Sequence, residues 1–592
     1  MYRFLPAATL TPEAIAAAMI IPGANVERRG RMAGTVTAPW HAGVLVEAAL
    51  RGAGASIRGI LTEGGSKAPP PLTPMAWPAL VALWTERGEV RPWVYEFCTP
   101  YQRDGVGYAA LRPGSHLWHP AGAGKTLELI LWAILASGPV VIATKASARL
   151  QWAKAVERFT TLRPFVLRPA AEYRKRDRWR SLADYLAWCE AERQRPFVLV
   201  GWQGVVSHMD ALLALRPVSI GADEAHLIKG VKRREGVMQA DGTMAYHDLK
   251  NVVACAAKLA RIARRRCCTT ATPVKDRQRD LWGQLDFAEP GAWGFSSLTF
   301  MKRYCAATPG AFGGWVTTGE SNTAELVERL AHVAHRVSYA ETHRHLPAKR
   351  RESRYLAPQE CNAEGKGFNA ELKKAAKLGP SHLMEVQLAR TASMKRRAIV
   401  EMITDAAAEG QKVVVFTGRV SDCDALGKDA RIALGKAGRR DPCPVWVSHG
   451  GVDSHETREE TRVAYMATEG AAVLIGTAQS LGTALDLQDT DLLIFAMLPW
   501  NGGDLHQQEG RVCRLGQKRP VIIRYVLCEG TIDELVAGRI ISKLPAMEAV
   551  AGDTETAGAR DALAGIEDKD KVADAILAKL AAWGDTADVE DD

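Results

Sequence analysis

Twice along this chain, short runs rich in Val and Ile alternate with longer helical stretches. The first series holds HLWH at 116, PVVIAT at 139, FVLVGW at 197, VSIGAD at 218 and CCTTAT at 267. The second holds KVVVFTG at 412, PVWVSHG at 444, AVLIGTA at 472, LLIFAML at 492 and VIIRYVL at 521. A strand that is apolar at every position, rather than at every other one, has no face to offer water. Such strands belong to parallel sheets covered by helices on both faces. Two series therefore predict two α/β lobes, and the adjacent Cys267 and Cys268 are expected to be buried strand residues.

This pattern divides the chain. Residues 1–90 form a small accessory unit with a helix near TPEAIAAAMI and a strand–turn–helix through GTVTAPWHAGVLVEAALRGAG, and the Pro-rich KAPPPLTPMAWP serves as its linker. The first lobe is expected at 91–294, a largely helical connection at 295–395 and the second lobe at 396–545. The remainder, 546–592, is expected to be a flexible acidic tail with a helix that places Val572, Ile576, Leu580 and Trp583 on one face. That face either packs on the second lobe or docks a protein partner, and packing is the simpler reading.

A length of 592 residues exceeds what one hydrophobic core sustains, in keeping with several domains. The net charge is +9 although the last forty or so residues are acidic, so the body is more basic than the total and suits a polyanionic partner. The 11 cysteines form no CxxC pair and no Cys/His zinc spacing, which points to reduced thiols in a cytoplasm. No uncharged stretch reaches membrane-spanning length, and the N-terminus lacks the pattern of a secretory signal. The expected setting is therefore cytoplasmic, with no membrane association.

Directly after the first strand run stands HPAGAGKTLELI. Gly122, Ala123 and Gly124 let the backbone wrap closely, so that successive amides face phosphate oxygens. Lys125 can reach the β- and γ-phosphates, and Thr126 can place a hydroxyl on Mg²⁺ at the start of the next helix. The full P-loop pattern has glycine where His119 stands. About a hundred residues later VSIGADEAHLIKG ends a strand in two acids. Asp223 can hold Mg²⁺ through water, and Glu224 can polarise the attacking water. His226, with no second His or Cys nearby, is read as coupling nucleotide state to the second lobe, not as a metal ligand.

AGAGKT, DEAHLIK and TTATPVKD resemble motifs I, II and III of superfamily 2 helicase-type motors, and more narrowly those of SWI/SNF-like DNA-dependent ATPases of the annealing-helicase branch. YQRDGVGY at 101, VVIATKASARLQWAKAV with Trp152, LWGQLDFAEPGAWG, FMKRYC, ELVERL and LPAKRRE continue the resemblance. So do KVVVFTG, GTAQSLGTALDLQ, LPWN, QQEGRVCRLGQ and EGTIDE, all in family order over about 95–545. The resemblance implies two RecA-like lobes with helical insertions and a small N-terminal α+β domain. It implies ATP and Mg²⁺ as cofactors, Gln102 on the adenine edge, and Arg511 and Arg514 on the γ-phosphate from the second lobe, with Gln507 of the same motif a further catalytic candidate. It also implies backbone contacts to DNA from Ser147, Arg149, Lys275, Thr417, Arg419, Ser448, His449, Gly450, Gln479 and Ser480. The Ala-rich, compact build resembles bacterial or phage versions of the family. The chain departs from the family pattern at His119, Pro120, Ala271, Ala484 and Asp486, and at Arg336, which Val337 follows in place of a second arginine.

The expected function is an ATP-dependent translocase on double-stranded or branched DNA, without sequence preference, that remodels DNA or protein–DNA complexes. An RNA-dependent motor of the same type is disfavoured by the GTIDE and RLGQ elements. A nucleotide-gated scaffold without turnover is disfavoured by complete motifs I, II and VI.

Overall fold

A computed structural model describes residues 74–563 apart from short breaks, which include 230–233, 239–243, 358–370 and 482–485, and describes the segments 2–6, 25–26, 36–38 and 57–62 before them. The tail helix expected around Val572, Ile576, Leu580 and Trp583 lies outside the described residues, as does Ala484. Among the described residues no helix is long and apolar enough to cross a membrane.

The N-terminal segments are strands: β1 (Tyr2–Pro6), β2 (Asn25–Val26), β3 (Val36–Ala38) and β4 (Ile57–Thr62) form an antiparallel sheet in the order β2-β3-β1-β4. Of these, β3 falls in the expected GTVTA strand, whereas β1 and β4 were not foreseen. Beyond them the chain divides between Arg336 and Val337 into two compact units, the loop residues Pro120–Ala123 excepted.

The sheet of the first unit contains β5 (Gly114–Trp118), β6 (Val140–Thr144), β7 (Phe165–Leu167), β8 (Phe197–Gly201) and β9 (Ser219–Asp223). A hairpin of β10 (Arg234–Met238) and β11 (Met244–Asp248) interrupts the series before β12 (Arg265–Thr269). A second hairpin, β13 (Ala307–Pro309) and β14 (Trp315–Thr317), precedes β15 (Ala334–Arg336). The strand order is β15-β5-β12-β9-β6-β8-β7, with every pairing parallel. Alternate residues of one strand serve different cores. Val140, Ile142, Leu199 and Cys267 pack with Ile130 and Trp132 of the helix Lys125–Ala133. Val141, Ala143, Val200 and Cys268 pack with Ala256 and Leu259 of the helix Val252–Ile262 on the opposite face. Burial on both faces is what the unbroken apolar runs require.

The second unit repeats the plan with β16 (Lys349–Leu356), β17 (Lys412–Thr417), β18 (Val445–Ser448), β19 (Ala472–Thr477), β20 (Leu492–Phe495) and β21 (Val521–Cys528). They pair in parallel in the order β16-β21-β20-β17-β19-β18. All ten apolar runs noted in the sequence are strands. Those passed over in the lobes, β7, β15 and β16, are sheet edges, and β15 and β16 lie inside the stretch read as a helical connection. An edge strand is shielded on one side only and tolerates charge, as KRRESRYL in β16 illustrates.

Two buried ion pairs tie the second sheet to its helices. Lys395, 1% exposed on the helix Pro380–Ala408, meets Asp533 at 2.7 Å and donates to the Val526 carbonyl. Arg351 of β16 donates to Glu509 at 2.6 Å, and the Tyr525 hydroxyl donates to the same carboxylate. Removing one member of such a pair strands the other charge in an apolar setting. Lys395→Ala is therefore expected to destabilise the second unit by about 3–5 kcal/mol, whereas Lys395→Met combined with Asp533→Asn costs less than Lys395→Ala alone. Hydrogen exchange of the backbone amides of β21 and of the helix Pro380–Ala408 under rising denaturant measures both, and unchanged protection in Lys395→Ala would contradict the assignment.

Candidate nucleotide site

In both units the loops that leave the C-terminal ends of parallel strands carry the polar sequence motifs, the place where open α/β sheets collect ligand-binding groups. The loop after β5 turns through Gly122 (φ +82°) and Gly124 (φ +79°), both left-handed and open to glycine without strain. Ala123 N donates to the Pro120 carbonyl and Leu127 N to the Gly124 carbonyl, so the loop closes into the helix Lys125–Ala133. Lys125 Nζ donates to the His119 carbonyl at 2.9 Å, which holds the ammonium across the loop. A Cβ on Gly124 would stand 2.4 Å from Gln102 Nε2, and that nitrogen donates to the Gly124 carbonyl at 3.4 Å. Gln102 also closes the capping box of the helix Pro100–Ala110 by accepting from Thr99 N. The residue expected at an adenine edge is thus also a brace for the glycine loop.

At the tip of β9 the two acids face different surroundings. Asp223 accepts from Thr144 Oγ1 at 2.7 Å, Trp152 Nε1 at 3.0 Å and Thr269 Oγ1 at 3.2 Å. Burial and then the adjacent Glu224 charge push its carboxyl up, against the hydrogen bonds from Thr144 and Trp152 and the charge of Lys125. Glu224 has φ +50° and ψ +51°, a left-handed conformation that costs a non-glycine residue about 1 kcal/mol or more. Burial alone would raise its carboxyl as well. Lys145, 3.6 Å away, together with the hydrogen bond and charge of His226 and the charge of Lys125, holds it well below the usual carboxylate range. Glu224 is therefore the more readily ionised of the two. His226, 2% exposed, lies 3.3 Å from Glu224 and 3.1 Å from Thr270 Oγ1, so it links the second and third motifs. Among the described residues no cluster of His, Cys, Asp and Glu has the makings of a metal centre. The donor set suits a hydrated cation that also leans on phosphate oxygens: Asp223 is already held by three donors and Thr126 sits in the first turn of the glycine-loop helix.

In the second unit the helix Gly502–Val512 starts at Asn501, whose side chain accepts from Asp504 N at 2.8 Å. Gln507 on this helix is 7% exposed. Arg511 passes its carbonyl to Leu487 N at 2.9 Å, and the half-buried Arg514 pairs with Asp486. Asp486 is one of the departures from the family pattern, and it holds the Arg514 guanidinium. Glu509, fixed by Arg351 and Tyr525, anchors the same helix.

The expected nucleic-acid contacts separate into two groups. Ser147, Lys275 and Arg419 are half-buried, and Gly450 and Gln479 are exposed. Arg149 is half-buried, with its guanidinium spent on Ala146 O, Leu167 O and Glu172. Thr417, Ser448, His449 and Ser480 are buried: Thr417 Oγ1 bonds Cys423 Sγ, His449 Nε2 bonds Asp424, and Ser480 Oγ donates to the Ser448 carbonyl. These four shape their loops instead of presenting side-chain donors to solvent. Lys145, Thr144 and Thr269 were not singled out in the sequence, where an isolated Lys or Thr after a strand carries no signal. Their importance comes from the Asp223–Glu224 pair that they surround.

A model of the SNF2-related domain matches residues 101–405, and one of the helicase conserved C-terminal domain matches 394–516. The SWI/SNF-related matrix-associated actin-dependent regulator of chromatin subfamily A-like protein 1 of Xenopus tropicalis is 28% identical over 457 residues, covering 75% of this chain and 44% of the relative. The protein of the same name from Drosophila melanogaster is 25% identical over 477 residues, covering 79% and 57%. The DNA annealing helicase and endonuclease ZRANB3 of Mus musculus is 25% identical over 459 residues, covering 74% and 39%. The chain thus spans less than half the length of the frog and mouse relatives. Among solved structures, the Sulfolobus solfataricus SWI2/SNF2 ATPase core in complex with dsDNA aligns at 20% identity and a TM-score of 0.33, covering 80% of this chain and 96% of that one. With the first match spanning more than half of its residues, the chain belongs to the SNF2-related domain family.

Proposed function

We propose that the chain is an ATP-dependent motor that translocates on double-stranded or branched DNA and remodels DNA or protein–DNA complexes. The observation that carries this reading is the divided acid pair at the tip of β9: a strained, ionised Glu224 beside an Asp223 that three neighbours hold in place. A solvated turn has no need of this arrangement, whereas a site that must hold a cation and polarise water does.

In this reading Gly122, Ala123 and Gly124 wrap the phosphates with backbone amides, and the helix that starts at Lys125 adds its positive N-terminus. Lys125 leaves the His119 carbonyl for a phosphate oxygen. Thr126 and Asp223 would hold Mg²⁺, which when bound would neutralise phosphate charge. Glu224 accepts a proton from, and orients, the attacking water, with His226 reporting its state to Thr270. On the second unit Arg511 and Arg514 are the proposed partners of the γ-phosphate, with Gln507 on the same helix. The planar forks of the two arginines suit the charge spread over the transferring phosphoryl oxygens, and Arg514 must first exchange Asp486 for that charge.

DNA is preferred over RNA because of the RLGQ and GTIDE elements and because the relatives bear names of chromatin-associated and DNA-annealing proteins. Ser147, Lys275, Arg419, Gly450 and Gln479, which the structure leaves exposed or half-buried, are the proposed contacts to a nucleic-acid backbone, and Arg419 would exchange its bonds to Ser421 and the Glu385 carbonyl for a phosphate. Arg149, Thr417, Ser448, His449 and Ser480 act by shaping their loops. Contacts of this kind carry little base information, so binding is sequence-independent and weakens with salt.

Phosphate release measured without polymer, with duplex DNA, with single-stranded DNA and with RNA tests the reading. Strong stimulation by duplex DNA is expected. Stimulation by RNA alone would replace DNA with RNA as the track, and no turnover with any polymer would leave a nucleotide-gated scaffold. For the site itself, Lys125→Ala is expected to lose ATP binding, and Glu224→Gln to keep binding while losing turnover. Arg514→Ala should bind ATP nearly as well as the parent and hydrolyse it about 10³–10⁵-fold more slowly, as removal of an arginine finger does. Equilibrium binding of a fluorescent ATP analogue beside single-turnover hydrolysis checks all three, and normal hydrolysis by Arg514→Ala would sink the finger assignment.

A further inference from the structure

A departure from the family pattern at the entry to the glycine loop, His119, meets in space a histidine near the end of the first unit, His335. His119, which stands directly before the loop, is wholly buried, and its ring is held on both sides. Nδ1 lies 2.9 Å from Glu128 Oε2, on the helix that follows the loop, and Nε2 lies 2.8 Å from His335 Nδ1 on β15. Glu128 is wholly buried too, and its other oxygen, Oε1, has no hydrogen-bond partner among the described atoms. Gly105 of the helix Pro100–Ala110 makes room for the cluster. A Cβ there would lie 3.0 Å from both Glu128 Oε1 and His119 Cε1, and 3.5 Å from His335 Nδ1. The edge of Tyr101 and the ring of Tyr108 close the sides, at 6.1 Å from His119 and 5.4 Å from His335.

The position of this chain of groups gives it leverage. The carbonyl of His119 receives Lys125 Nζ, so whatever fixes the His119 ring also fixes the resting place of the phosphate-binding ammonium. Pro120 confines His119 to extended backbone, and the ring bonds remove the freedom that is left. At the far end of the loop Gln102, one turn before Gly105 on the same helix, bonds the Gly124 carbonyl. The loop is therefore pinned at both ends by one helix and one buried hydrogen-bonded chain. His335 belongs to the last strand of the first sheet, paired with Leu117 of β5, one residue before the chain passes to the second unit.

We infer that Glu128, His119 and His335 are positioning residues for the glycine loop, and that His335 is the member through which the strand leaving the first sheet sets the affinity of that loop for nucleotide. None of the three touches substrate. The inference rests on the reading of this loop as an ATP site. It gives the departure at His119 a structural role: Glu128, one turn into the following helix, supplies a carboxylate, and the imidazole spans the distance to β15.

The test compares His335→Leu, which removes the hydrogen bond and keeps an apolar filling, with His335→Asn, whose amide occupies the position of Nδ1. ATP turnover in the presence of Mg²⁺ and duplex DNA, and equilibrium binding of a fluorescent ATP analogue, are measured on the full chain. His335→Leu is expected to raise KM and the analogue's Kd about tenfold while kcat stays within about threefold, the size of one lost buried hydrogen bond, and His335→Asn to restore both. Equal behaviour of the two variants, or a loss confined to kcat, overturns the inference. Should His335→Leu fail to fold, Glu128→Gln decides, because it keeps volume and loses only the carboxylate: parental nucleotide affinity overturns the inference, and an affinity weakened about threefold or more supports it. If the unmodified chain binds no ATP, the nucleotide reading itself falls. If it binds, Lys125→Ala does not, and His335→Leu binds as the parent does, only the positioning role falls.

Discussion

The constraint on which the rest of the structure depends is that each lobe's sheet is buried on both faces. Strands such as β6, β9, β17 and β19 have no residue to spare for chemistry along their length, because alternate side chains are committed to two cores. Polar groups are therefore driven to the loops at the strand ends. Parallel pairing points those ends the same way, so that the glycine loop after β5, Asp223 and Glu224 after β9 and Thr269 and Thr270 after β12 are neighbours. The active groups of the first unit are assembled by topology before any of them has been chosen.

Within that assembly, the difference between two adjacent carboxylates is made by their neighbours. Asp223 continues the strand and accepts hydrogen bonds from two threonines and an indole. Glu224 is turned out of the strand by a left-handed backbone and meets Lys145 and His226. Two acids adjacent in sequence would ordinarily hinder each other's ionisation. Here the reversal of direction between them gives each its own electrostatic setting, and the cost of an uncommon backbone conformation is offset by the ion pair that it permits.

What was legible in the sequence follows from how many sides of an element are buried. The ten apolar runs declared themselves: nine are interior strands, where burial on both faces leaves a continuous apolar signature, and the tenth, β18, is an edge that still carries Val445 and Val447. β7, β15 and β16 did not: they are edges, short or charged, and β16 in particular reads as a solvated helix or loop. The motif residues were legible because phosphate and cation chemistry restricts their identity and spacing, as in AGAGKT and DEAH. Their supporting partners were not. Lys145 and Thr144 gain meaning only from the folded position of Asp223 and Glu224, and the ring of His119 only from Glu128 and a strand more than two hundred residues away. The buried state of Thr417, Ser448, His449 and Ser480 was equally hidden, because a hydroxyl or imidazole beside a glycine looks the same in sequence whether it faces solvent or a neighbouring loop.

The charged edge strand β16 has a consequence for how copies of this chain behave toward one another. Ser353 and Tyr355 send their hydroxyls to the carbonyls of Ala562 and Leu563 at the end of the helix Ala557–Leu563, and Gly558 lies against Arg351. An open parallel edge invites another strand to continue the ladder. With Arg350 and Arg354 exposed along the strand, that flank presents positive charge to an incoming copy, while the helix seated on one face of the strand holds Ser353 and Tyr355 in place. Among the described strands the sheet ends there, and the charge along that flank weighs against its extension by a second copy.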